Sequence, residues 1–336
     1  MKLEMQPLYK FKLPREALIA ITYKCNAKCH MCNTWQYPSK SAAEIQPSDL
    51  ESLPNVVFCN ITGGEPFIRE DIKEFVEVMK RKAKRIVIST NGYFTDKVIK
   101  LAEKYPSLGI RISIEGLPAA NDELRGIRDG FDHGIRTLLE LQRLGIKDIG
   151  FGITLSDRNI LDLMELYQLS KAMNLEFATA CVHNTYYFHK FDNKVTRFEE
   201  FKREFEKLIT DLLKSKRMKN WFRAYFNYGL LNYAYGKKRL LPCEVGTDLF
   251  FIDPFGEVMA CNAMDMSMGN IKKMPFEKIW NSEQARQVRQ AVRACQKECW
   301  MIGSVSPAIK KNIKIPAVWV LKNKLRLMMG KELKLC

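Results

Sequence analysis

The stretch Ala17-Leu18-Ile19-Ala20-Ile21-Thr22-Tyr23, followed after Lys24 by Cys25-Asn26-Ala27-Lys28-Cys29-His30-Met31-Cys32, decides how the rest of the chain is read. A short apolar run of this kind reads as a strand, and here it delivers three thiols onto the loop at its carboxyl end. Downstream, β-branched runs recur at Val56 to Thr62, Arg85 to Thr90, Gly109 to Glu115, Ile149 to Leu155 and Glu176 to Val182. Helix-period segments separate them, among them Ile72, Phe75, Val76 and Met79, and Ile135, Leu138, Leu139 and Leu141. Six strand-helix units predict an α/β fold, a partial (β/α)6 barrel of the TIM type over residues 1–190. Right-handed crossovers put every loop that follows a strand on one face, and the cysteine loop belongs to that face.

Three thiolates can hold three irons of a cubane and leave the fourth open to an exogenous chelate. A Cys3His zinc site is the other reading of the same residues. It requires His30 to reach the metal already bound by its neighbour Cys29, which strains the loop. Ten cysteines in 336 residues are too sparse for a disulfide framework, so the chain is expected in a reducing cytosol. Met1 to Pro14 offers no continuous apolar core of a secretory signal, and no run approaches the length of a membrane-spanning helix. The 54 Lys and Arg residues against 38 Asp and Glu give a net charge of +16 and a field that attracts anions. Nucleic acid, an acidic electron-transfer protein, a phosphorylated substrate or an anionic membrane all answer to such a field, as does a plain Lys-rich surface.

Residues 191–242 read as a helical bridge, with Phe198, Phe201, Phe205, Leu208, Leu212 and Leu213 on one stripe. The aromatic group Trp221, Phe222, Tyr225, Phe226 and Tyr228 reads as core, with a substrate-pocket wall as the alternative. Residues 243–304 form a small α+β unit: a hairpin from Leu249 turning at Asp253-Pro254-Phe255-Gly256, then a helix near Phe276 to Ala294. Cys243, Cys261, Cys295 and Cys299 bracket it, enough to saturate a four-iron cubane or to hold a structural zinc. The tail, residues 305–336, is basic and amphipathic: a helix docked on the barrel, or a segment lying on an anionic membrane. Cys59 and Cys181 read as small core residues, the latter with hydrogen-atom donation as the alternative.

The spacing of Cys25, Cys29 and Cys32 after a first strand resembles the signature of the radical S-adenosylmethionine superfamily. Gly63-Gly64-Glu65-Pro66 is similar to that family's glycine-glycine-glutamate motif, and Ser89-Thr90-Asn91-Gly92, Ser113-Ile114-Glu115-Gly116 and the stretch ending in Arg125 resemble its later cofactor-contacting segments. The resemblance implies that the open iron binds the amine and carboxylate of S-adenosylmethionine. It implies that Glu65 and nearby carbonyls accept from the ammonium, that Ser89, Asn91 and Ser113 line the nucleoside, and that Arg125 pairs with the carboxylate. Met31 stands where members usually carry an adenine-packing aromatic residue, and Glu115 where many carry aspartate.

The second cysteine set resembles the SPASM or twitch extension. Arg286 and Arg289 occupy the spacing of two further cysteines, which implies a single auxiliary cluster. The implied cofactors are S-adenosylmethionine and two 4Fe-4S clusters, with a flavodoxin or ferredoxin-type reductant as partner. The implied activity is that of a radical SAM oxidoreductase: the cofactor is cleaved reductively to a 5'-deoxyadenosyl radical, which takes hydrogen from a small, anionic or lipid-linked molecule, and the auxiliary cluster relays an electron. No nucleic-acid partner is expected. Roughly 16 residues precede the first strand, so no fused leader-peptide-binding domain is expected, and a peptide maturase or epimerase is the alternative. A non-catalytic iron-sulfur sensor or scaffold is the rival from another class, and the intact Gly63-Gly64-Glu65 argues against it. Candidates for the base or a substrate contact are Glu115, His183 and Tyr186, at or just past strand ends. A cytoplasmic location follows, with the tail as the one route to the inner membrane face.

Overall fold

The computed structural model describes residues 11–335; the first ten residues and Cys336, read above from sequence, lie outside the described part. Six parallel strands follow in chain order: β1 (Glu16–Ala20), β2 (Val56–Thr62), β3 (Ala83–Thr90), β4 (Gly109–Ser113), β5 (Ile149–Leu155) and β6 (Glu176–Cys181). β1 stops short of Tyr23 because the backbone leaves the ladder there. The Tyr23 N–H donates to Ser39 Oγ (2.8 Å) and the Lys24 N–H to Thr22 Oγ1 (3.0 Å).

Strand alternation sorts the side chains. Ile19, Cys59, Ile61, Ile88, Ile112, Phe151 and Cys181 are buried in the main core. The alternate residues Asn60, Ser89, Ser113, Gly152, Thr154 and Ala180 are only half-buried, and Ala178 is exposed. A closed barrel fills its interior with branched side chains. Here the carboxyl-end half of that face carries small and polar ones, with Leu18, Phe58 and Val87 below them, so the α/β partial barrel keeps its lumen open at that end.

The sheet does not end at β1. Strand β7 (Leu249–Ile252) adds to it in parallel, pairing Glu16 with Leu249 through Ile19 with Ile252. Antiparallel β8 (Glu257–Met259) and β9 (Ser267–Asn270) complete the order β6-β5-β4-β3-β2-β1-β7-β8-β9. The hairpin read from Asp253 to Gly256 is therefore welded to the barrel wall.

Among the crossover helices, α1 (Ile72–Lys82) buries Ile72, Phe75, Val76 and Met79 as its spacing requires. Then come α2 (Thr95–Lys104), α3 (Pro118–Arg125), α4 (Gly130–Arg143) and α5 (Leu163–Ala172). In α4, Leu138 and Leu141 are buried but Leu139 is exposed, since one residue's rotation carries it off the apolar stripe. α6 (Phe198–Lys214) and α7 (Met218–Ala234) pack together. Phe198 is exposed at the start of the stripe, whereas Tyr225 and Phe226 are core, the plainer of the two sequence readings.

The helix expected over Phe276 to Ala294 is two, α8 (Phe276–Trp280) and α9 (Glu283–Arg293). Ser282 separates them: its Oγ accepts from the Ala285 N–H (3.1 Å), an N-cap that starts a new helix. The tail forms α10 (Ile302–Lys311) and α11 (Lys314–Met328), and α11 docks on α7 and α6. Its Trp319 stacks on Tyr228 (4.9 Å between centroids) and Lys324 Nζ donates to the Leu213 carbonyl (2.8 Å). Among the described residues no helix is long and apolar enough to cross a membrane.

Candidate active site

The cysteine loop leaves β1 against the loop that follows β2, main chain on main chain. The Gly64 N–H donates to Thr22 O (2.7 Å) and the Glu65 N–H to Lys24 O (2.8 Å). A Cβ on Gly63 would lie 2.6 Å from Thr22 O, and one on Gly64 2.2 Å from Lys24 O. The two glycines thus let this backbone touch the strand that presents Cys25. Gly126, in the left-handed region, plays the same part beneath Lys28 and ends α3, while the His30 N–H donates to Leu124 O (2.9 Å). Further along, Thr34 Oγ1 lies 3.0 Å from Cys32 Sγ, and Asn91 Nδ2 donates to Asn26 Oδ1 (2.7 Å).

Three buried charged side chains meet beside these thiols. Glu65 accepts at Oε1 from Thr90 Oγ1 (2.7 Å) and the Phe67 N–H (3.1 Å), and at Oε2 from the Asn91 N–H (2.7 Å). Burial pushes its carboxyl up, and these donors and Arg125 oppose the shift. Glu115 accepts from Arg125 Nη1 (2.9 Å) and the Thr154 N–H (2.5 Å). Burial also pushes Glu115 up, with Arg125 as the leading opposing influence. Arg125 is itself buried; burial disfavours its charge, but Cys29, Glu115, Cys25 and Glu65 around it keep it protonated. Among the described residues its Nε has no partner although the atom is buried.

Towards the hairpin the lumen wall becomes aromatic: Tyr23, Tyr187, Phe251 and Met259 form a small buried cluster with Ala20. Among the described residues the buried Tyr187 hydroxyl has no partner, and it lies within electrostatic reach of Tyr23, Cys32, Cys25 and Asp253. Asp253 accepts from the Phe255 and Glu257 N–H groups at Oδ1 (2.9 and 2.8 Å), and burial lifts it to about 6.

The second cysteine set converges as well. Cys261 and Cys299 each feel the charges of the other thiols of the set, Cys243 and Cys295 included. Arg239 lies against them: Nη1 donates to the Cys299 carbonyl, Nε to Leu241 O (2.7 Å), and its backbone N–H to Glu298 Oε2 (2.6 Å). Arg289, one of the two arginines in place of cysteine, donates to Gly246 O (2.7 Å) and Trp280 O (2.9 Å) and stacks on Trp280. It ties α9 to α8 and to the turn before β7 by hydrogen bonds.

Residues 19–169 match the family model of the radical SAM superfamily, and residues 243–300 that of SPASM, an iron-sulfur cluster-binding domain. The chain is a radical SAM protein with a SPASM domain. Among curated relatives of this radical SAM protein is Fe-coproporphyrin III synthase of Methanosarcina barkeri, 30% identical over 44% of this chain and 39% of that one. The subtilosin biosynthesis protein AlbA of Bacillus subtilis is 23% identical over 84% and 63% respectively. The AdoMet-dependent heme synthase of M. barkeri is 24% identical over 82% and 85%. The chain thus spans less than two thirds of the first two relatives. Its fold is that of SuiB of Streptococcus suis, solved with the precursor peptide SuiA (TM-score 0.64, 16% identity, 86% of this chain and 71% of that one).

The cofactors of a radical SAM protein with a SPASM domain are S-adenosylmethionine and two iron-sulfur clusters, and the residues fit them. Among the described residues no three His, Cys, Asp or Glu side chains converge as ligands of one metal ion. A cubane attaches each thiolate to its own iron and asks for spread thiols instead. Burial raises Cys25 to about 12 and Cys299 to about 11, as it does for a thiol held out of water. Arg125, with an unpartnered buried Nε, suits a carboxylate.

The structure also places the remaining sequence candidates. Gly63, Gly64 and Asn91 border the cysteine loop, Met31 lies within it with its carbonyl accepting from Asn193, and Pro66 is buried in the turn after Glu65, whereas Ser89 bonds Asn60 (3.0 Å) and Ser113 lies on the lumen face of β4. Glu115 is committed to Arg125. His183 Nδ1 lies 3.1 Å from Cys181 O, so that nitrogen carries the proton, and burial lowers the ring's pKa. Tyr186 is exposed and bonded to Asp265. Cys181 is fully buried against the Leu230 carbonyl, which favours the core reading. Tyr187, Asp253 and Arg239 were not singled out from sequence. The two first sit in turn or loop segments, and an arginine four residues before Cys243 carries no signal of its own.

Proposed function

We propose that this radical SAM protein is a peptide-modifying maturase. When bound, the first cluster supplies one electron that cleaves S-adenosylmethionine to methionine and a 5'-deoxyadenosyl radical able to take a substrate hydrogen. Cys25, Cys29 and Cys32 would hold that cluster, Arg125 the cofactor carboxylate, and Glu65 with the adjoining carbonyls its ammonium. Glu115 positions Arg125. For an oxidation, the substrate radical gives up a proton and an electron. Asp253, whose carboxyl burial lifts to about 6, is suited to receive the proton, and Cys243, Cys261, Cys295 and Cys299 would hold the cluster that accepts the electron. A flavodoxin or ferredoxin-type protein is the proposed donor, its acidic surface matched to the net charge of +16.

The observation that carries the peptide reading is the open lumen. Gly152, Ala178 and Ala180 on its far wall carry little or no side chain and are at least partly accessible, which suits a substrate recognised along its backbone. The likeness to AlbA supports it. This displaces the small-molecule substrate expected from sequence. That expectation survives as a second reading, a tetrapyrrole, supported by the relatives named for coproporphyrin and heme and by a rim of exposed Tyr37, Tyr186 and Phe255 that could face a flat ring.

Anaerobic reduction with dithionite in the presence of S-adenosylmethionine tests both. A peptide encoded beside this gene should raise 5'-deoxyadenosine release, and iron-coproporphyrin III should not. The opposite pattern would establish the tetrapyrrole reading. Reversible reduction without any release would return the chain to the class of iron-sulfur sensors.

A further inference from the structure

The sequence leaves the tail as either a docked helix or a membrane-surface segment, and the structure docks one face of α11 and leaves the other uncovered. One face of α11 is spent on the protein: Pro316, Val320 and Asn323 are buried, and Trp319 stacks on Tyr228. The opposite face presents Ile315, Val318, Leu321, Leu325 and Met328, each about half exposed or more. Their spacing of three and four places them on one continuous outward stripe. Lys314 and Lys322 lie within the stripe, and Lys331 and Lys334 follow it. Among the described residues none of these four lysines has a carboxylate partner, whereas Lys310 and Lys311 just before them pair with Glu16, Glu244 and Asp248. A helix that is apolar all round is ordinarily buried all round. This one is half covered, and the uncovered half is aliphatic and cationic.

We propose that this face of α11 seats the protein on an anionic lipid bilayer. Aliphatic side chains without aromatic rings have nothing to stack on nucleic-acid bases, and a hydrated acidic peptide does not bury them. The surface of an anionic bilayer supplies both requirements: apolar depth for Val318, Leu321 and Leu325, and negative headgroups for lysines whose stems run alongside. No spanning helix is needed, and the docked face fixes the stripe outward without further folding.

The test is flotation of the full-length protein, clusters reconstituted and air excluded, with vesicles of phosphatidylcholine alone or of phosphatidylcholine mixed with phosphatidylglycerol. The protein should float with the mixed vesicles only, and less so as salt rises. Lys322→Gln should weaken partitioning about fivefold, and Val318→Asp with Leu325→Asp should abolish it. These residues are outside the site, so 5'-deoxyadenosine release in solution should not change, which also shows that the variants fold. Failure to float with the mixed vesicles would overturn the proposal. So would unchanged flotation of the aspartate variant, or a stable dimer of the chain that the aspartates dissociate, since a second copy would then own this face.

Discussion

Arg125 is the residue on which the site's electrostatics turn, since Cys25, Cys29, Glu65 and Glu115 all act on it. Arg125→Lys keeps the charge and loses the planar fork. It should weaken S-adenosylmethionine binding about tenfold, with iron content per chain unchanged in the same preparation. Asp148 is one of the carboxylates on which acid stability depends. Asp148 receives Arg85 Nε (2.7 Å) and Arg111 Nη2 (2.5 Å). Burial alone would raise its carboxyl, but the two guanidinium groups prevail and hold it near 2. Its folded value lies below the ordinary 3.8, so its contribution is present above about pH 4 and fades as pH falls towards 2. The urea-midpoint difference between wild type and Asp148→Asn should follow that course. The site is partly exposed, so the difference at neutral pH should be on the order of 1 kcal/mol. The first cysteine set could be read from its spacing, because local chain order fixes those thiols on one loop, whereas Gly63-Gly64-Glu65 and Arg125 were reached through the resemblance of their segments to the radical SAM family. The Arg125–Glu115 pair and the Tyr187 hydroxyl could not, because they depend on where separate loops meet.

At the scale of elements, the periodic signals carried through: β2 and β5 run as their apolar runs do, and α1 buries its predicted stripe. The break between α8 and α9 turns on one side-chain oxygen, which a hydrophobic pattern does not register. The pairing of β7 with β1 was equally hidden, because nothing local in either strand names a partner more than two hundred residues away. A closer dependence links α7 to the second cysteine set. Trp300, next to Cys299, is fully buried and donates from Nε1 to Phe226 O (2.8 Å), and a Cβ on Gly229 would fall 2.0 Å from its ring. Gly229→Ala should therefore cost about 1–3 kcal/mol of stability by overpacking. It should also lower auxiliary-cluster occupancy, seen as a reduced iron content and a lower denaturation midpoint.

For the whole molecule, the sheet joins the two cysteine sets: the same ladder that carries Cys25 at the end of β1 carries the hairpin through β7. One continuous sheet thus fixes where the two cysteine sets stand relative to each other, with the lumen between strands and loops beside the first set. The claim beneath this arrangement is that the first three thiols leave one iron without a protein ligand. Mössbauer spectroscopy of protein reconstituted with enriched iron, with Cys243, Cys261, Cys295 and Cys299 changed to serine, addresses it directly. Adding S-adenosylmethionine should move the signal of about one iron in four and leave the others in place. A spectrum indifferent to the cofactor, or a loop that takes up zinc in place of iron, would contradict it.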